Sequence, residues 1–138
     1  GREFGAPNEP ATSRRERIVA GVRAMKRHDQ GLAVRLIDGL EQVPNLRIMG
    51  ITDRRRLDRR VPTVSFVLEG CDPAEIAKYM ASQGIYVWDG HNYGVEPVKR
   101  LGLLDKGGVV RVGPTHYNSA AEIDRFLEAL NVYLQIRP

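Results

Sequence analysis

Apolar residues recur at steps of three and four along Ile18, Val22, Met25, Leu32, Leu36, Leu40 and Val43, the spacing of one face of an α-helix. Just before them, Ser13-Arg14-Arg15-Glu16 matches a capping box, in which serine hydroxyl and glutamate carboxylate each satisfy an orphan N–H at a helix start. Asp29 interrupts the stripe, Gly31 weakens it, and Pro44-Asn45 stops it. Unbroken, such a helix runs ~30 residues and about 45 Å. That is long for so small a domain, and the pattern predicts an apolar face in want of a partner.

The period then changes to two. Leu46 to Ile51 alternates weakly, and Pro62 to Leu68 is rich in β-formers with Val64, Phe66 and Leu68 in phase, so both predict strands. Asp72-Pro73-Ala74-Glu75 reads as N-cap, first helical position and acidic first turn. Ile76, Tyr79 and Met80 give this helix its apolar face, and Gly84 is placed to end it. Ile85-Tyr86-Val87-Trp88 predicts a short strand, residues 89 to 108 a glycine-rich loop long enough to carry function, and Val109 to Val112 a further strand. Ser119-Ala120-Ala121-Glu122 is a second capping box, before a helix with Ile123, Leu127, Leu130 and Leu134 on one face. The order is helix, two strands, helix, two strands, helix. It predicts an α+β fold: a small, mainly antiparallel sheet with helices on one face. Residues 1–11, with two glycines and two prolines, read as a flexible tail, part of it tag-like.

Composition narrows the class. The chain has 138 residues, 42% hydrophobic and 28% charged, ordinary for one globular domain. Lys plus Arg is 21 and Asp plus Glu 17, a formal charge of +4, and the only lysines are Lys26, Lys78, Lys99 and Lys106. No apolar run reaches the ~18 residues of a membrane span, and the first residues lack a secretory h-region. A single cysteine, Cys71, excludes an internal disulfide or a multi-cysteine zinc site. The expectation is a soluble, cytoplasmic domain. The arginine runs at 14–17 and 54–60 invite a nucleic-acid reading, but no aromatic or groove-reading motif accompanies them. They read as a solvated helix start and a charged surface loop.

Arg111 is the most informative residue. It stands among Val109, Val110 and Val112, and a guanidinium cannot shed its proton, so it needs an anion if covered. Its planar fork suits a carboxylate; a pair with Asp89, or exposure on an open sheet face, are the competing readings. In Trp88-Asp89-Gly90-His91-Asn92-Tyr93-Gly94, glycines let a ligand approach while His91, Asn92 and Tyr93 offer hydrogen-bonding groups; an ordinary surface turn is the alternative. His116 stands near the end of the Arg111 strand, close enough to join it or to serve a helix end. His28 reads as an exposed mid-helix residue, and Cys71 as an inert thiol in a strand-to-helix turn, although a helix start can activate one. Clustered metal ligands, a nucleophile elbow and phosphate-binding glycine motifs are missing.

Four runs together resemble a known family: Val61 to Phe66, Gly84 to His91, Val110 to Ser119, and Glu122 to Arg125. Their order and spacing are similar to the C-terminal part of class V aminotransferases, specifically the cysteine desulfurase-like members, across residues 12 to 138. The resemblance implies the C-terminal domain of a fold-type I pyridoxal-phosphate transferase. An N-terminal large domain, lying outside this chain, would bind pyridoxal 5′-phosphate through a lysine, in an enzyme that is a homodimer acting on an amino-acid substrate. It puts the substrate-carboxylate arginine at Arg111, with His91, Asn92 and Tyr93 lining the site. Beside a composition that argues against a membrane partner and makes nucleic acid a minor reading, it implies an isolated chain that is inactive and binds no cofactor covalently. Two departures stand out. The loop after Gly90-His91 holds no cysteine where desulfurases carry a nucleophile, and none of the four lysines follows a histidine, as the family's cofactor lysine commonly does. A free-standing small-anion-binding or dimerisation module is the second reading, and nucleic-acid binding the third.

Overall fold

Ser13 forms the expected capping box: its hydroxyl accepts from Glu16 N–H at 3.2 Å, and the Glu16 carboxylate accepts from Ser13 N–H at 2.8 Å. From this start α1 runs unbroken over Arg14–Leu40, in a computed structural model that describes residues 13–136. The N-terminal tail expected at residues 1–11 lies outside the described residues. Asp29 and Gly31 do not interrupt the helix. They mark where its character changes: Leu32, Ala33, Leu36, Ile37 and Leu40 are buried, whereas Ile18 and Val22 are 55% and 54% exposed.

After α1 come β1 (Leu46–Met49), β2 (Val64–Leu68), α2 (Pro73–Ser82), α3 (Val95–Arg100), β3 (Val110–Val112) and α4 (Ala120–Ile136). The sheet is antiparallel with order β1-β2-β3; Phe66 faces Ile48 on one side and Val110 on the other, and Ser65 faces Arg111. Alternation sends Val64, Phe66, Leu68, Val110 and Val112 into the core. There α1 packs on β1 and β2, α2 on β3, and α4 on both α1 and α2. Both later helix starts follow the sequence reading. Asp72 Oδ1 accepts from Ala74 N–H at 2.9 Å, and Ser119 and Glu122 exchange their reciprocal bonds at 3.3 and 2.7 Å.

Three local expectations change. Residues 85–87 form no strand, and the segment pairs with β3 only at Trp88. The long loop is partly ordered: α3 and a 3-10 turn at Leu104–Lys106 fold across the sheet's second face. There Val98, Leu103 and Val109 form a small buried cluster against Met49 and Val67, so a short helix also covers part of that face. Finally, Arg54–Arg59 is a 3-10 turn anchored by buried Leu57. Arg54 pairs with Asp38 and Glu41, Arg55 with Asp53, and Arg60 donates to the carbonyls of Ile51, Val61 and Thr63. Burial pushes the Arg60 guanidinium pKa down. Arg54 and Arg60 thus fasten the turn to its surroundings, while Arg55, Arg56, Asp58 and Arg59 are exposed, as expected of a charged surface loop.

Candidate functional site

The uncovered part of the second sheet face holds Arg111. Since Val110 and Val112 point into the core, alternation turns the residue between them outward, and it is exposed. Trp88 N–H donates to Arg111 O at 3.1 Å and Arg111 N–H to Trp88 O at 2.7 Å. This is a hydrogen-bonded antiparallel pair, whose side chains emerge on the same side with Cα atoms about 5.5 Å apart. Asp89, the internal acid weighed as a partner, is exposed. Among the described residues Arg111 makes no ion pair and no side-chain hydrogen bond.

Two glycines bring the neighbouring turn to Arg111. A Cβ on Gly108 would sit 2.3 Å from the Gly90 carbonyl carbon and oxygen, and Gly108 has φ +87°, so only glycine lets these backbones touch. Val109 N–H then donates to Gly90 O at 3.0 Å. Beyond Gly90 the chain reverses, with Gly94 N–H donating to His91 O at 2.7 Å. Asn92 and Tyr93 both take positive φ, 50° and 62°, as in a type I′ turn. Left-handed non-glycine residues cost roughly 1–3 kcal/mol each and persist only where surroundings dictate them.

Thr63, Tyr86, Trp88, Asn92, Tyr93, Arg111 and Gly113 line one cleft of about 420 Å³. It thus brings together three of the four residues singled out in the sequence, Arg111, Asn92 and Tyr93. The fourth, His91, belongs to the same turn but not to the cleft wall: its Nδ1 accepts from Tyr93 N–H at 3.2 Å. His116 does not line this cleft either, and stacks edge-on against Tyr117 at 5.5 Å. His28 is half-buried, not exposed, and its Nε2 donates to Asn118 O at 2.9 Å, tying α1 to the entrance of α4. Cys71 is partly buried against the core and lines two other clefts. Tyr86, Trp88 and Thr63 were missed as lining residues; the two-residue step from Tyr86 to Trp88 was the available signal, since in the strand predicted there it sets both side chains on one side. Among the described residues no group of three His, Cys, Asp or Glu is placed to hold a metal, and no helix is long and apolar enough to cross a membrane.

Residues 18–126 match the family model of class-V aminotransferases. The chain belongs to that family. An aminotransferase-like protein of Gibberella zeae is 36% identical over 114 residues, covering 80% of this chain and 28% of the relative. A probable cysteine desulfurase of Pseudomonas putida is 32% identical over 113 residues, covering 82% and 26%. The chain therefore spans little more than a quarter of these class-V relatives. The cysteine desulfurase of Thermococcus onnurineus shares the fold, with TM-score 0.71 and 24% identity over 92% of this chain and 33% of that one.

Proposed function

We propose that residues 12–138 form the C-terminal small domain of a pyridoxal-phosphate-dependent, class-V aminotransferase or desulfurase-like enzyme acting on an amino acid. Arg111 grips the substrate carboxylate, Asn92 and Tyr93 line the mouth of the site, and His91 holds the turn that carries them. One observation supports this above others: a cation that makes no ion pair among the described residues, on a valine strand, sharing a cleft with a glycine-tethered turn.

This reading puts no covalent cofactor site on the chain's own lysines. Lys26, Lys78, Lys99 and Lys106 are all exposed, and none lines the Arg111 cleft. In this reading the cofactor and its lysine belong to a large domain, the working enzyme is a cytoplasmic homodimer, and the isolated chain has no turnover. What this chain supplies is orientation of the substrate and exclusion of water.

In the full-length enzyme, Arg111→Gln removes a charge-assisted contact worth roughly 1.5–3 kcal/mol, raising KM for the amino acid by about 10- to 100-fold. An unchanged KM overturns the assignment. Borohydride treatment of this chain with pyridoxal phosphate is expected to label exposed lysines indiscriminately; one stoichiometric adduct on a single lysine overturns the claim that the anchor lies elsewhere.

The exposed apolar start of α1 favours a second reading, a free-standing dimerisation module. Sedimentation separates the two: a tight dimer that protects Ile18 and Val22 supports the module, and a monomer supports the small domain.

A further inference from the structure

From the walls of the Arg111 cleft we infer a substrate class: amino acids, and related monocarboxylates, that carry an aromatic or other large apolar side chain. The inference rests on the reading of Arg111 as the carboxylate grip and adds what lies beyond it. Tyr86 and Trp88 stand two residues apart, and both line the cleft. Trp88 is paired directly with Arg111, which puts the indole beside the guanidinium. Tyr93 rises from the positive-φ turn against the same cleft. The three rings are 86%, 63% and 92% exposed. Each aromatic side chain can bury roughly 150–250 Å², so the cleft offers one cation surrounded by uncommitted ring surface.

The remaining lining groups narrow the chemistry. Thr63 and Asn92 are neutral, and among the described residues no carboxylate lines the cleft, so a cationic substrate side chain finds no counter-charge on these walls. Among the described residues Arg111 is also the one basic lining residue, so a second carboxylate finds no second cation on these walls. The single cysteine of the chain lines other clefts, so a sulfur atom on the substrate meets no thiol acceptor from this domain. An anion at one end and an apolar body at the other is the complementary ligand. A volume of about 420 Å³ lies within the ~300–1,000 Å³ of small-molecule sites.

Trp88 is the only tryptophan, so its emission and its indole N–H resonance report on this cleft alone. The 138-residue chain is titrated with propionate, 3-phenylpropionate and 3-phenylpropan-1-ol, with Arg111→Gln and a Tyr86→Ala/Tyr93→Ala double variant alongside. Both tyrosines are exposed, so their removal spares the core. The expected result is 3-phenylpropionate binding about tenfold tighter than propionate, with the alcohol far weaker. Arg111→Gln should weaken both acids, and the tyrosine variant should reduce phenylpropionate to the level of propionate. Equal affinities of the two acids overturn the aromatic selection while leaving the carboxylate grip intact. Binding that ignores Arg111→Gln, or no response to any of the three, overturns the grip and the substrate class with it.

Discussion

At the residue scale, three carboxylates are held below their usual pKa range. The Arg35 guanidinium, bonded to Asp124 across 89 positions of sequence, holds that carboxyl below its usual range, chiefly by the hydrogen bond and less by charge. Glu122 is lowered first by the Ser119 N–H and then by the Ser119 hydroxyl, and Asp53 by Arg55. Each folded pKa lies beneath its unfolded value of about 4, so the stabilisation is complete above that pH and is lost as pH falls through the folded values. Thermal melts from pH 7 to 2 should show Asp124→Asn/Glu122→Gln melting below the wild type at pH 7 and converging with it at pH 2; a constant gap overturns the linkage. Arg111 and the Asn92-Tyr93 pair were legible as candidates, because a guanidinium among valines and a glycine-flanked polar turn contradict their surroundings. The retreat of His91 from the cleft wall was not legible. The His91 ring is instead engaged within its own turn, accepting from Tyr93 N–H, a local bond that composition does not announce.

At the element scale, capping chemistry made the long helices readable. Ser13, Asp72 and Ser119 each satisfy orphan N–H groups locally, so α1, α2 and α4 begin where their sequences say. Short elements escaped for the opposite reason. Six residues, Val95–Arg100, cannot display a period, and Pro97 argues against the helix that Val98 and Leu103 stabilise by packing on the sheet. Likewise Leu57 alone among arginines gives no sign that it is buried. The 85–88 segment has strand composition, but its pairing depends on the Gly90–Gly108 contact, which lies beyond it in sequence. Gly108→Ala should therefore destabilise the domain by roughly 2–3 kcal/mol and move the Trp88 indole resonance, because backbone, not a yielding side chain, stands in the way. Gly102→Ala, also at positive φ but facing open space, should cost about 1 kcal/mol and leave that resonance in place. Denaturant unfolding and one NMR spectrum per variant check both.

At the scale of the whole molecule, one hydrophobic core joins the inner face of the sheet to three helices, and α1 is only half part of it. Residues 32–40 should exchange amide hydrogens at the rate of global unfolding, and residues 17–25 orders of magnitude faster, since little tertiary packing supports them. Uniform protection along α1 in a monomer overturns this division. The alternation of apolar and polar positions made the α+β class and the uncovered stripe readable. The burial of one end alone was not readable, because both halves of the stripe use the same residue types. A rod clamped over its last turns is a cantilever. About 21 Å of helix projects before His28, whose ring ties α1 to the entrance of α4, so a tilt of some 5° at that tie swings the free tip by about 2 Å. α1 packs on β1 and β2, so a body gripping that tip pulls on the same sheet whose third strand carries Arg111.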